Sequence, residues 1–318
     1  MQLLVTGGGG FIGSHLVERL VRDGHRVRVL DNFTTGHRRN LDAVIDDVEL
    51  VEGDMQSYER AHNAVRGCEI VLHQAAMPSV PRSVQDPLTS NASNVIGTLN
   101  VLLAARDSDV HRVVCASSSS VYGANPDLPK REDMPALPIS PYAVAKLAGE
   151  GYCRSFTEVY GLETVALRYF NVFGPRQDPL SAYAAVVPNF ITAALKGEAP
   201  VIYGDGEQSR DFTFVDNVVE ANLLAMTADG VAGRAYNIAC GERTSLNDLV
   251  AAIARVLDRQ IAPRYAESRA GDVRHSLADT ARAQEELGYR VNVSLEEGLA
   301  RTAQHYIGAS DSATLVET

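Results

Sequence analysis

A short apolar run, Leu3-Leu4-Val5, meets four consecutive glycines, Gly7-Gly8-Gly9-Gly10, and after Phe11-Ile12 comes Gly13. Apolar residues then recur at helical spacing, Ile12, Leu16, Val17, Leu20 and Val21, until Asp23-Gly24 stops them. Arg26-Val27-Arg28-Val29-Leu30 alternates into a second strand that ends at Asp31. Strand, glycine turn, helix and strand fit in about thirty residues, which predicts a βαβ unit and hence a parallel sheet at the start of the chain.

That context gives the glycines a chemical reading. Gly8-x-Gly10-x-x-Gly13 and Gly7-x-x-Gly10-x-x-Gly13 both match dinucleotide-loop spacings. Without side chains the backbone can approach a pyrophosphate, and the helix N-terminus favours its charge. Asp31 stands where an acidic side chain accepts from the hydroxyls of the adenine ribose and repels a 2′-phosphate, which favours NAD over NADP. Asp54, after a third strand, is a second candidate near the adenine.

Further strands are predicted at Val48-Glu49-Leu50-Val51, Ile70-Val71-Leu72-His73, Arg112-Val113-Val114-Cys115-Ala116 and Thr164-Val165-Ala166-Leu167, with helical stretches between most of them. After about Gly174 the rhythm breaks at Pro175, Pro179, Pro188 and Pro200. The expected division is a dinucleotide-binding domain over 1–174, rejoined by parts of 212–240, and a mainly substrate-binding domain over 175–318. Leu246 to Leu257 reads as an amphipathic helix, and Gly308 to Thr318 as a loose tail.

Composition narrows the partners. The formal charge is −11 with the acidic residues scattered, so the clustered basic footprint of a nucleic-acid binder is missing. The four cysteines show neither CxxC nor Cys/His ligand spacing, which argues against a disulfide framework or a structural zinc and fits a reducing, cytoplasmic setting. No run reaches about 18 apolar residues, so no membrane partner is expected.

A second motif supplies a reaction. Tyr142-x-x-x-Lys146 follows Ser140-Pro141, a helix start with Ser140 as cap, so both side chains share one helical face. A phenol of pKa near 10 needs roughly 4 kcal/mol of anion stabilisation to drop about 3 units. One cation about 4 Å away supplies that at an effective dielectric near 20, so Lys146 is expected to lower Tyr142, with the positive nicotinamide ring able to add to it. The run Ser117-Ser118-Ser119-Ser120, past the fifth strand, offers a hydroxyl to orient the oxygen that Tyr142 deprotonates.

With these motifs, the Ser run before Val121-Tyr122-Gly123 and Arg168-Tyr169-Phe170-Asn171, the chain resembles the extended short-chain dehydrogenase/reductase family, most closely its UDP-hexose 4-epimerase branch. The resemblance runs from Met1 to about Ile307. It implies a Rossmann-type doubly wound parallel sheet with a smaller α/β C-terminal substrate domain, a homodimer, and NAD-dependent C4 inversion of a UDP-hexose through a 4-keto intermediate. It makes Ser118, Tyr142 and Lys146 catalytic. Around NAD it places Gly7, Gly10, Phe11, Ile12, Gly13, Asp31, Asn32, Thr35, Gly36, Asp54, Met55, Gln74, Ala75, Ala76, Asn94, Tyr142, Lys146, Tyr169 and Phe170.

Around the UDP-sugar the resemblance places Ser118, Ser119, Ser120, Tyr142, Asn171, Ala185, Val186, Val201, Tyr203, Arg210, Arg269, Asp272 and Ser276. Arg210 and Arg269 are forked donors suited to a diphosphate, and Tyr203 offers a face to a uracil. Small Ser276, and the segment Ser181-Ala182-Tyr183-Ala184-Ala185-Val186-Val187-Pro188, resemble the branch that accepts 2-acetamido sugars. Ser119 and Ser120 stand where the family's dehydratases carry Asp and Glu, so the groups for eliminating water are missing. Pro78 replaces a basic residue of some members. Epimerisation or decarboxylation of a UDP-glucuronate, and a non-catalytic nucleotide-sugar-binding protein, are the alternatives.

Overall fold

The computed structural model describes residues 1–179, 185–267 and 274–316, with side chains up to 308. The first half opens with β1 (Gln2–Thr6), α1 (Phe11–Arg22), β2 (Arg26–Asp31), a 3-10 stretch (Arg38–Asp47), β3 (Val48–Glu52), α2 (Tyr58–Val65) and β4 (Ile70–His73). There follow α3 (Val80–Gln85), α4 (Pro87–Asn91), a π-helical turn (Ala92–Ile96), α5 (Gly97–Asp107), β5 (Arg112–Ser118), α6 (Pro141–Tyr160) and β6 (Glu163–Tyr169). The six strands expected from the sequence are all present. The second half holds β7 (Val172–Phe173), α7 (Val186–Leu195), β8 (Val201–Tyr203), β9 (Ser209–Arg210), β10 (Thr213–Phe214) and α8 (Val215–Thr227). It ends with β11 (Arg234–Ile238), β12 (Thr244–Ser245), α9 (Leu246–Leu257), β13 (Arg264–Ala266), α10 (Ala281–Glu286) and α11 (Leu295–Val316).

Seven strands form one parallel sheet in the order β11-β6-β5-β4-β1-β2-β3. Both faces are covered, and β1 shows why: Leu3 and Val5 enter one core with Leu16, Val17 and Leu20 of α1, while Leu4 enters the other with Val71, Val113 and Phe156. Strand order reverses between β1 and β4. A crevice therefore opens beyond their carboxyl ends, the place where such sheets bind ligands.

A separate apolar cluster joins α7, α9 and α11 through Phe190, Ile191, Leu249, Ile253, Leu299 and Ala303. Apart from β11, which joins the main sheet, the strands of this half are short pairs, β10–β7, β12–β9 and β13–β8. One expectation fails here: α11 continues as helix to Val316, where the sequence suggested a loose tail from Gly308. No proline interrupts that stretch. Among the described residues, no helix is long and apolar enough to cross a membrane.

Candidate active site

The turn from β1 into α1 is built by close backbone approach. Gly7 has φ +72°, and a Cβ there would lie 2.7 Å from the Ala75 backbone; a Cβ at Gly13 would lie 2.0 Å from the Gly7 carbonyl. Only glycine fits either position. Gly10 caps α1 without a side chain and no acidic residue occupies its first turn, so the helix presents backbone N–H groups and the positive end of its dipole. Phe11 and Ile12, half-buried, begin that helix. This cradle suits a pyrophosphate.

Asp31, buried at the end of β2, accepts from the Gly9 N–H at 2.8 Å and the Phe33 N–H at 2.7 Å. Burial raises its carboxyl, and these bonds oppose the shift. The same carboxylate thus shapes the glycine turn and keeps lone pairs for a ribose. Asn32 donates to Asp54 at 3.0 Å, joining the two adenine-side candidates. Gly36 packs on the Gly9 backbone, Thr35 is exposed, and Met55 is buried against Gly97.

Past β4, the sequence Gln74-Ala75-Ala76 leaves the sheet beside the glycine turn, with the three residues half-buried. Asn94, in the π-helical turn, accepts from Met77 N–H at 2.7 Å and donates to its carbonyl at 3.0 Å, fixing this loop. Gln74, Tyr169 and Asn222 close a hydrogen-bonded triangle of 2.8 to 3.0 Å. Phe170 is fully buried against Tyr122, which closes its ring to a ligand.

His73 organises what lies beneath. Its Nδ1 is 2.7 Å from the Thr6 hydroxyl, which accepts from Ala75 N–H; its Nε2 is 3.0 Å from the Thr98 hydroxyl, which donates to the Asn94 carbonyl. That last donation assigns the Nε2–H tautomer. Burial, assisted by the Lys146 charge, pushes the imidazole down to about 3, so it is neutral.

The dyad sits on the first turns of α6. Ser140 caps the helix through Ala143 N–H at 3.2 Å, Pro141 occupies the first turn, and Tyr142 N–H donates to Ser83 at 3.0 Å. The Ser118 hydroxyl lies close enough to the Tyr142 phenol to favour its anion. Ser118 also accepts from Ser120 N–H at 3.2 Å, and Ser119 and Ser120 lie in the 3-10 turn that follows it.

The electrostatics correct one expectation. Burial raises the Tyr142 phenol, with the Ser118 hydroxyl opposing it. The Lys146 ammonium lies 5.9 Å from the phenol ring centre and donates to the Ala116 carbonyl at 2.7 Å, too far and too engaged to reverse the cost of burying a phenolate. Burial also draws Lys146 down to about 8.

One turn further along α6 stands Glu150, for which the sequence analysis found no role. It takes a bidentate bond from Arg168 at 2.9 and 2.7 Å and a hydrogen bond from Ser117. Arg168 also donates to the Tyr122 hydroxyl, which donates in turn to Asn237. Burial works against the Arg168 charge, but Glu150 outweighs it and holds the guanidinium above its usual range. Glu150 and Lys146 border a cavity of about 10 Å³, the room one water needs. The i, i+4 spacing from Lys146 was visible in sequence; the partner on β6 was not.

Just past β6, Asn171 adopts φ +35° and donates to the Asp211 carbonyl at 3.2 Å. Arg210, half-buried on β9, donates to the Ser209 and Arg274 carbonyls, and Ser276 N–H donates to Ser209 at 3.0 Å. Asn171, Arg210 and Ser276 are thereby joined through residues 209–211. Val201 and Tyr203 lie on β8, the latter 38% exposed, and Ala185 and Val186 open α7. Arg269, Asp272 and Ser181 to Ala184 lie outside the described residues.

Residues 3–239 match the model of the NAD dependent epimerase/dehydratase family. A UDP-glucose 4-epimerase of Mycolicibacterium smegmatis is 41% identical over 96% of this chain and 98% of its own. The structure of a UDP-N-acetylglucosamine 4-epimerase from Methanobrevibacter ruminantium, in complex with UDP-N-acetylmuramic acid, superposes with a TM-score of 0.93 at 41% identity, covering 97% and 98% of the two chains. A UDP-glucose 4-epimerase from Thermotoga maritima, with UDP-glucose, gives 0.93 at 38% identity over 98% and 100%. Glycine cradle, reversed strand order and whole-length similarity lead to one assignment: the chain belongs to the NAD-dependent epimerase/dehydratase family.

Proposed function

We propose that the protein interconverts C4 epimers of UDP-hexoses, UDP-glucose with UDP-galactose and UDP-N-acetylglucosamine with UDP-N-acetylgalactosamine, through a 4-keto sugar. The observation that carries this reading is the juxtaposition of Tyr142 with Ser118 and Lys146, beyond the carboxyl ends of the strands that shape the NAD cradle. NAD, when bound, takes up the C4 hydride and returns it to the opposite face.

The remaining work falls to side chains of this chain. Tyr142 receives the proton of the 4-hydroxyl and gives it back, while Ser118 orients that oxygen. Lys146, whose pKa of about 8 leaves it mostly charged at neutral pH, offsets part of the cost of the phenolate as it forms. Arg210 and Asn171 hold the diphosphate, together with Arg269, and Asp272 accepts from the uridine ribose. Firm contacts on the diphosphate and few on the sugar let the keto sugar turn over between hydride transfers. Ser276 leaves room for a 2-acetamido group. A homodimer working in the cytoplasm completes the reading.

Replacing Tyr142 by Phe is expected to lower kcat by about 10²- to 10⁴-fold while UDP still binds. Normal turnover by that variant contradicts the assignment.

A further inference from the structure

The wall that carries Arg210 and Ser276 is assembled from segments far apart in sequence, and one side chain touches most of them. Asp211 follows Arg210 directly and is fully buried. One carboxylate oxygen accepts from Cys240 N–H at 2.9 Å; the other accepts from Gly241 N–H at 3.0 Å and Ala278 N–H at 3.1 Å. Its backbone carbonyl accepts from the Asn171 side chain at 3.2 Å. Ser276 is thus held from two sides, by its own N–H on Ser209 and, two residues on, by the Asp211 carboxylate.

A buried carboxylate is costly, and among the described residues the hydrogen-bond partners of this one are backbone N–H groups rather than a cation. Three N–H donors shared between two oxygens also specify the residue type. Asparagine has one acceptor oxygen, so its amide would turn N–H against at least one of those donors. Leu, of similar size, would leave all three donors unpaired.

We propose that Asp211 is a positioning residue for the UDP-sugar: it clasps residues 240–241 and 278 to β9, and so fixes Arg210, Asn171 and Ser276 relative to one another. This rests on the reading that those residues hold the substrate. NAD binding does not depend on the clasp, because the cradle is built from β1, α1 and the ends of β2 and β4.

The test is Asp211→Asn, with KM and kcat measured for UDP-glucose and UDP-N-acetylglucosamine alongside NAD affinity and Tm. Expected is a KM raised about tenfold or more for both sugars, with kcat within about threefold and NAD affinity unchanged. An unchanged KM overturns the proposal, as does a parallel fall in NAD affinity and Tm, which marks a merely structural role. Wild-type protein that converts neither sugar refutes the underlying substrate reading instead.

If Asp211→Asn does not fold, the wild-type enzyme supplies the answer. Burial pushes the Asp211 carboxyl up to about 6, with Glu242 adding to the shift, while the neighbouring Cys240 thiol and Tyr289 phenol are raised and keep their protons. Protonation removes an acceptor, so KM for UDP-glucose, whose diphosphate gains no proton in this range, is expected to rise as pH falls through 6. His275, bonded to Ser209 and lowered chiefly by burial and then by Arg243, Arg274 and Arg210, titrates nearby, and a parallel scan of His275→Gln separates the two. A flat KM, or a rise that vanishes in His275→Gln, overturns the proposal.

Discussion

The cofactor side and the substrate side of this protein are held together by different means. Around the glycine turn, backbone packs on backbone: Gly7 against Ala75, Gly13 against Gly7, Gly36 against Gly9. The strands behind are long, parallel and covered on both faces. Around Arg210 and Ser276 the strands have two or three residues, and side-chain bonds from Asp211 and Ser209 tie together segments more than 60 residues apart. A site fixed by backbone tolerates few changes and serves one cofactor. A wall fixed by a few side chains can be altered at one position with little effect elsewhere, and under the proposed function that is where sugar specificity would be set.

The largest effect expected is on the buried charge pair that ties α6 to β6 in the sheet behind the first side. Glu150→Gln leaves Arg168 desolvated without its anion, since both side chains are about nine-tenths buried. A loss of about 3–5 kcal/mol in unfolding free energy is expected by denaturant titration. A loss below 1 kcal/mol would mean that the first side is less rigid than the geometry indicates. Gly13→Ala comes next: its Cβ meets a carbonyl that cannot move without opening the turn. Calorimetry should show NAD affinity reduced about 10- to 100-fold with UDP affinity intact. Equal losses for both ligands would erase the distinction between the sides.

On the second side, Ser276→Tyr is expected to lower kcat/KM for UDP-N-acetylglucosamine relative to UDP-glucose by about tenfold or more. An unchanged ratio removes Ser276 as the gate. The last effect is spread along the pH axis instead of acting at a single pH. His73, with an ordinary pKa of 6.5 when unfolded and about 3 in the fold, binds fewer protons folded than unfolded between those values. Its stabilising contribution is therefore complete above pH 6.5 and is lost as pH falls toward 3, at about 1.4 kcal/mol per unit. His73→Gln should flatten the acid limb of the stability curve by that slope, and an unchanged limb would show that the imidazole titrates normally.

What was legible in the sequence follows the same division. The glycine spacing, the alternation of β2 and the Ser140-Pro141 cap are local signals, and the structure carries each of those elements where the pattern put it. The roles of His73 and Asp211 depend on partners distant in sequence, Thr6 and Thr98 for one, Cys240 and Ala278 for the other, and no local pattern announces them. Tyr142 shows a third kind of limit. Spacing placed it on one helical face with Lys146, but the balance between burial and a cation depends on distances that spacing does not contain.

The central claim is tested most directly by product analysis. Purified protein is incubated separately with UDP-glucose and UDP-N-acetylglucosamine, with and without added NAD⁺, and the sugars are identified by NMR. Formation of both C4 epimers is the expected result. Conversion of UDP-glucose alone would contradict the open pocket at Ser276, and conversion of neither, with NAD shown to be bound, would contradict the epimerase reading in favour of a UDP-uronic acid substrate or a binding role.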